Sequence, residues 1–130
     1  MSAMQRNKGK VGERHVAGLI REHTGWDAQR RVRQHDGDSD LLGVPGWSVE
    51  VKNCANATLG DVARWWQQCV EQAGAELPVL VYKRQRGEWR AVWPLSIGLT
   101  QQSAEMWRAV EWTVEGSVQA WAAVAREAMA

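Results

Sequence analysis

Phenylalanine is absent from this chain of 130 residues and tyrosine occurs once, while tryptophan occurs nine times. Tryptophan then fills core positions that phenylalanine would otherwise take, and it is not read as a base-stacking platform. Cysteine is scarce as well: Cys54 and Cys69 make no disulfide framework, and neither has a Cys or His neighbour at zinc-site spacing. Both are expected to pack as small apolar groups in a reducing cytoplasm. No apolar run approaches the length of a membrane-spanning helix, and the N-terminus lacks the apolar stretch of a signal peptide. A cytoplasmic protein with no membrane partner is expected. No glycine-rich segment fits a P-loop or a dinucleotide fingerprint, so no nucleotide cofactor is expected. His15, His23 and His35 share no ligand spacing. Net charge is also lacking: +1 overall says nothing about a polyanionic partner.

What is present is a hydrophobic fraction of 45% in 130 residues, enough for one compact domain with a sizeable core. The charge is unevenly spread. Eight basic residues stand against three acidic ones between Met1 and Arg33, and the remainder of the chain is net acidic. A basic third beside an acidic cluster suits a protein that holds phosphates around a metal, although a solvated face reads the same way.

Hydrophobic periodicity orders the elements. Residues before about Asn7 read as a flexible arm. A helix is expected from Lys8 to His23, with Val11, Val16, Leu19 and Ile20 recurring at helical spacing and Gly25 closing it. Glu13 falls at the edge of that buried stripe, which is costly without a partner. Alternation predicts a strand over Trp26–Arg33, a polar loop over Gln34–Ser39, and strands at Asp40–Leu42 and Trp47–Lys52 paired as a hairpin. Thr58 with Asp61 three residues on opens a second helix with an apolar stripe of Leu59, Val62, Trp66, Val70 and Ala73. Its other face carries Arg64, Gln68 and Gln72. Strands follow at Pro78–Tyr82 and Glu88–Trp93, turned at Arg86-Gly87. The tail predicts a helix near Gln101–Ala109, a strand Val110–Val114 and a helix Ser117–Ala128 capped by Ser117. The whole is an α/β fold with helices on the faces of a sheet.

The chemistry concentrates in Val49-Glu50-Val51-Lys52. Strand alternation puts Glu50 and Lys52 on one face and the two valines on the other. Asp40, ten residues before Glu50, converges with them if the hairpin forms. Two carboxylates and a lysine at one point are the parts of a magnesium-dependent phosphodiesterase. The spacing alone is loose and also describes an ion pair on a solvated strand. Asp36-Gly37-Asp38-Ser39-Asp40 begins like an EF-hand loop, but Leu41 and Trp47 occupy the positions that need Gly and Glu, which rejects it.

These residues, in this order, resemble the PD-(D/E)xK nuclease superfamily, and within it the archaeal-type Holliday junction resolvases and their phage-encoded relatives. The resemblance rests on Gly9-Lys10-Val11-Gly12-Glu13-Arg14 in the first helix, a basic strand, Asp40, Glu50-Val51-Lys52, and a glutamine on the next helix, Gln68 or else Gln67. It runs from about Asn7 to Trp93. Ser39 replaces the proline expected before the acid, and the tail after Pro94 has no counterpart. The resemblance implies a restriction-endonuclease-like core, a central mixed sheet flanked by helices over about residues 7–94, and a C-terminal α/β extension over about 95–130. It implies that Glu13, Asp40 and Glu50, with the Val51 carbonyl, ligate Mg²⁺, for which Mn²⁺ substitutes. It implies that Lys52 activates water, that Gln68 supports it, and that Lys8, Lys10, Arg14, Arg30, Arg31 and Arg33 hold DNA. The implied substrate is branched double-stranded DNA cut by a homodimer, with exposed tail tryptophans such as Trp107 or Trp121 available to the interface. A nuclease for nicked, flapped or linear DNA and a silent DNA-binding module of the same fold stay open as alternatives.

Overall fold

The computed structural model describes residues 2–33, 35, 37–84, 87–98 and 108–128. Its first helix, α1 (Ala3–Thr24), starts earlier than the hydrophobic pattern implied. Ser2 Oγ accepts from the Gln5 N–H and the Gln5 side chain accepts from the Ser2 N–H, both at 3.2 Å. That reciprocal box satisfies two donors the helix would otherwise leave open, so the expected flexible arm is its first turn. Gly12, Glu13, Val16, Ala17 and Ile20 are buried, whereas Val11 is 60% exposed and stands outside the stripe. Gly25 ends the helix as expected, with φ +77° and its N–H donated to Arg21 O at 2.9 Å.

The expected strand over Trp26–Arg33 contracts to β1 (Gln29–Arg30), which pairs antiparallel with β2 (Leu41–Leu42). β3 (Trp47–Lys52) follows after a tight turn. Gly43 takes φ +79° there, and a Cβ at this position would run into the carbonyl oxygen of Asp27. The expected hairpin between the second and third strands is thus replaced by a β1–β2 ribbon. Its link to β3 includes the Asp40 N–H donated to Val49 O at 2.9 Å.

From β3 the chain crosses through α2 (Leu59–Ala73) to β4 (Leu77–Lys83), which lies parallel to β3 with Glu50 beside Leu80 and Lys52 beside Tyr82. Parallel neighbours require such a crossover. Thr58 and Asp61 form the predicted capping box of α2. β5 (Trp89–Pro94) and β6 (Thr113–Ser117) add antiparallel strands, giving the order β3-β4-β5-β6. The strand expected at Val110–Val114 is displaced: Val110–Trp112 is a 3-10 turn and β6 begins at Thr113. Ser117 Oγ caps α3 (Val118–Ala128) by accepting from the Ala120 N–H at 3.0 Å. Most of the helix expected at Gln101–Ala109, and Trp107 with it, lies outside the described residues, as does Arg86 of the predicted turn.

Two apolar layers hold the mixed sheet. On one face Val49, Val51, Val79, Val81 and Ala91 pack against α1 and α3, with Val16, Ile20 and Trp121 among the buried partners. On the other, Leu80, Tyr82 and Val92 pack against Trp66, Cys69 and Val70 of α2. This is the helix–sheet–helix layering of a restriction-endonuclease-like core. Trp47, Trp66, Trp89, Trp93 and Trp121 are all buried, filling the places a phenylalanine-rich core would give to smaller rings. Trp121 is 0% exposed, so it is core and not the exposed dimer contact the tail suggested.

Candidate active site

Strand alternation sends Ser48, Glu50 and Lys52 to the α2 side of the sheet, while Val49 and Val51 enter the α1 side. β3 is the edge of the four-stranded sheet, so its outer backbone groups are available to other partners. Asp40 takes two of them. Its backbone N–H bonds Val49 O, and its Oδ2 accepts from the Val51 N–H at 2.7 Å. A strand residue directs its N–H and C=O to the same edge, so the Val51 carbonyl also points toward the Asp40 side. The loop carrying Asp40 is held in turn by Arg31. Its N–H donates to Asp40 O at 2.9 Å, and its guanidinium donates to Ser39 O at 2.8 Å and Ser39 Oγ at 3.2 Å. Ser39, in the place of a proline, is buried and donates its hydroxyl to Leu41 O at 3.1 Å.

Asp40 and Glu50 are 9% and 5% exposed and lie close enough for one charge to act on the other. Burial, then the neighbouring Asp40 charge, pushes the Glu50 carboxyl up from 4.5 to about 7. Lys52 offsets part of this: its Nζ stands 3.3 Å from Glu50 Oε1. Glu50 Oε2 is buried and has no hydrogen-bond partner. An unpartnered carboxylate oxygen in such a place is costly unless a cation meets it. Beneath the pair, Cys69 is 1% exposed on α2. Burial, then the charges of Glu50 and Asp40, holds its thiol well above the usual thiol range, so it stays neutral.

The remaining expected site residues sit elsewhere. Glu13 is buried and ion-paired to Arg30, Oε2 to Nε at 3.5 Å. Among the described residues no three His, Cys, Asp or Glu side chains are gathered around one point, so Glu13 does not complete a triad with Asp40 and Glu50. Gln68 and Gln67 are exposed. The buried stripe of α2 runs through Trp66, Cys69, Val70 and Ala73, which turns Gln68 nearly opposite Trp66 and away from Lys52. Gln72, one turn past Cys69, has a buried Oε1 without a hydrogen-bond partner. Lys8, Lys10, Arg14 and Arg33 are exposed and Arg30 is half-buried. The sequence reading missed Cys69 as a neighbour of the carboxylates. Its spacing of three and four from Trp66 and Ala73 was the available signal.

Two buried carboxylates with a spare oxygen and a backbone carbonyl on the same edge are a hard-oxygen donor set. Mg²⁺ needs no more from a protein, because it is commonly held by one or two carboxylates with water and substrate phosphate completing its shell. The residues present therefore fit the ion. A family model described as "Phage putative PDDEXK endonuclease" matches residues 4–120. Protein D14 of Escherichia phage T5 is 30% identical over 113 residues, covering 68% of this chain and 70% of that protein.

Proposed function

We propose, from the premise that this chain belongs to the phage PDDEXK endonuclease family and is a PD-(D/E)xK nuclease, that it hydrolyses DNA phosphodiesters with Mg²⁺ and acts on branched DNA, a four-way junction above all. The observation that carries the metal chemistry is the buried, unpartnered Oε2 of Glu50 beside Asp40. Asp40, Glu50 and the Val51 carbonyl would hold the ion, with Mn²⁺ as a substitute. Bound there, it supplies positive charge to the phosphate and makes water a better nucleophile.

The chain's own groups do the rest. Asp40 is fixed by the Val51 N–H, so its second oxygen is oriented before any ligand arrives. Lys52, 26% exposed at its side chain, is placed between Glu50 and solvent, where it can orient water and offset charge gathering on the phosphate. Arg31 sets the Ser39–Asp40 loop rather than gripping DNA itself. Glu13 holds the Arg30 guanidinium by an ion pair and so acts as a positioning residue for that cation. Lys8, Lys10, Arg14 and Arg33, all exposed, supply the sequence-independent attraction for the backbone. Preference for the junction, and action as a homodimer with two opposed sites, rest on the likeness of the Gly9–Arg14 motif to the junction resolvases.

Incubation with a four-way junction, a flap, a nicked duplex and a plain duplex, each with Mg²⁺ or EDTA, tests this. Paired, symmetric cuts in the junction alone, lost in EDTA, are the expected result. Equal cutting of all four would overturn the junction preference and leave a general nuclease. Binding without cutting in Mg²⁺ and in Mn²⁺ would overturn the catalytic reading.

A further inference from the structure

A cavity of about 270 Å³ opens directly beyond the carboxyl end of β3, one residue past Lys52. Lys8 from α1, Asn53 from the end of β3, and Lys83 and Arg84 from the end of β4 line it, and among the described residues no carboxylate does. Its position follows from the topology. β3 and β4 are parallel and joined by a crossover helix, and in such sheets ligands sit in the crevice outside the carboxyl ends of the strands.

Lys83 and Arg84 are held through their side chains, and Lys8 through its backbone. Asn53 Nδ2 donates to Lys8 O at 2.9 Å, and α1 comes so close that a Cβ on Gly12 would stand 2.8 Å from Asn53 Cβ. Lys83 Nζ lies 5.5 Å from the centre of the Trp89 ring. Arg84 donates to Glu115 Oε2 at 2.7 Å and to the Tyr82 hydroxyl at 3.3 Å. Glu115 also meets Arg90 at 3.3 Å, so one carboxylate serves two guanidinium groups and positive charge is left over. A cavity below the roughly 300–1,000 Å³ of drug-sized sites, with cationic walls, suits a single phosphodiester.

We propose that this pocket is a phosphate subsite that seats the DNA backbone at a phosphodiester next to the one cut, with Lys8, Lys83 and Arg84 as its cations. The proposal rests on the nuclease reading for its place in the reaction but not for its existence. It extends the DNA contacts from the N-terminal third of the chain to the end of β4, and it fixes the direction in which the strand leaves Lys52.

The test is a binding titration of fluorescein-labelled four-way junction and plain duplex in EDTA, repeated over a range of salt, with the parent and with the double variant Lys8→Gln/Lys83→Gln. Each phosphate deprived of its cations makes the plot of log K against log salt shallower by about 0.9, so the double variant, which strips two of the three cations from the one phosphate, is expected to flatten it by up to about 0.9 on both DNAs. The pair Lys8→Arg/Lys83→Arg should restore the slope. An unchanged slope would overturn the subsite while leaving cleavage by the parent, and hence the nuclease reading, intact. A parent that cuts nothing in Mg²⁺ would overturn the nuclease reading while a flattened slope still upheld the pocket. A fall in affinity that comes with a lower melting temperature and is not restored by arginine would mark a structural role and overturn the proposal.

Discussion

Asp40 joins two functions in one residue, since the oxygen that accepts from Val51 belongs to the carboxylate proposed to hold the ion. Asp40→Asn keeps a side-chain acceptor for that N–H and removes the charge. It is expected to abolish cutting, with junction binding within a few-fold of the parent. Asp40→Ala removes the acceptor as well and leaves a buried donor unmet, which should cost a further 1–3 kcal/mol or so in a denaturant titration. Glu50 predicts a pH effect. A carboxyl raised in the folded state holds its proton better there than in the unfolded chain. Its stabilising contribution is therefore full below 4.5 and is lost as pH climbs to about 7. Metal-free protein should lose about 3 kcal/mol from this group across that window, at 1.36 kcal/mol per unit. Glu50→Gln should flatten the loss, be more stable than the parent in EDTA at pH 8, and cut nothing. Melting curves between pH 4 and pH 8 check this; a parent that gains stability over the window would sink the assignment.

At the level of elements, caps and turns carry the register. Thr58→Ala removes the side-chain oxygen that accepts from the Asp61 N–H, and should cost about 1 kcal/mol in chemical denaturation without changing the cleavage product. Both helices with an evident cap signal, α2 and α3, were legible in the sequence because Thr58 and Ser117 stand directly before an apolar periodic run. The start of α1 was not, because Ser2 and Gln5, although spaced as a capping box, precede residues with no apolar pattern. The β1 strand is shorter than its pattern: alternation from Trp26 to Arg33 is real, but the ladder with β2 covers Gln29–Arg30 and the chain bends at Val32 and Arg33. Glu50, Lys52 and Asp40 could be placed together from strand alternation alone. The side of α2 facing them could not be settled by polarity, since the buried position is a cysteine and the more conspicuous glutamine, Gln68, faces water.

Over the whole molecule, the last strand and helix belong to the same sheet and the same core as the site. β6 pairs with β5 from Arg90 to Pro94, and Trp121, Ala122 and Ala125 of α3 are fully buried with Val16 and Ile20 of α1. A chain ended after Pro94 should therefore show no cooperative melting transition, although Asp40, Glu50 and Lys52 all remain in it. Trp121→Ala, a milder change, should cost about 3–5 kcal/mol by equilibrium denaturation. The tryptophan-for-phenylalanine core has one more consequence. Trp47 of β3 and Trp121 of α3 meet edge to face, 5.4 Å between ring centres and 87° between planes. Two indoles this close couple their strong far-ultraviolet transitions, so their circular dichroism there includes a paired signal that neither ring gives alone. The strand that carries Glu50 and Lys52 and the helix α3 thus carry a built-in optical gauge of their contact, readable without any label.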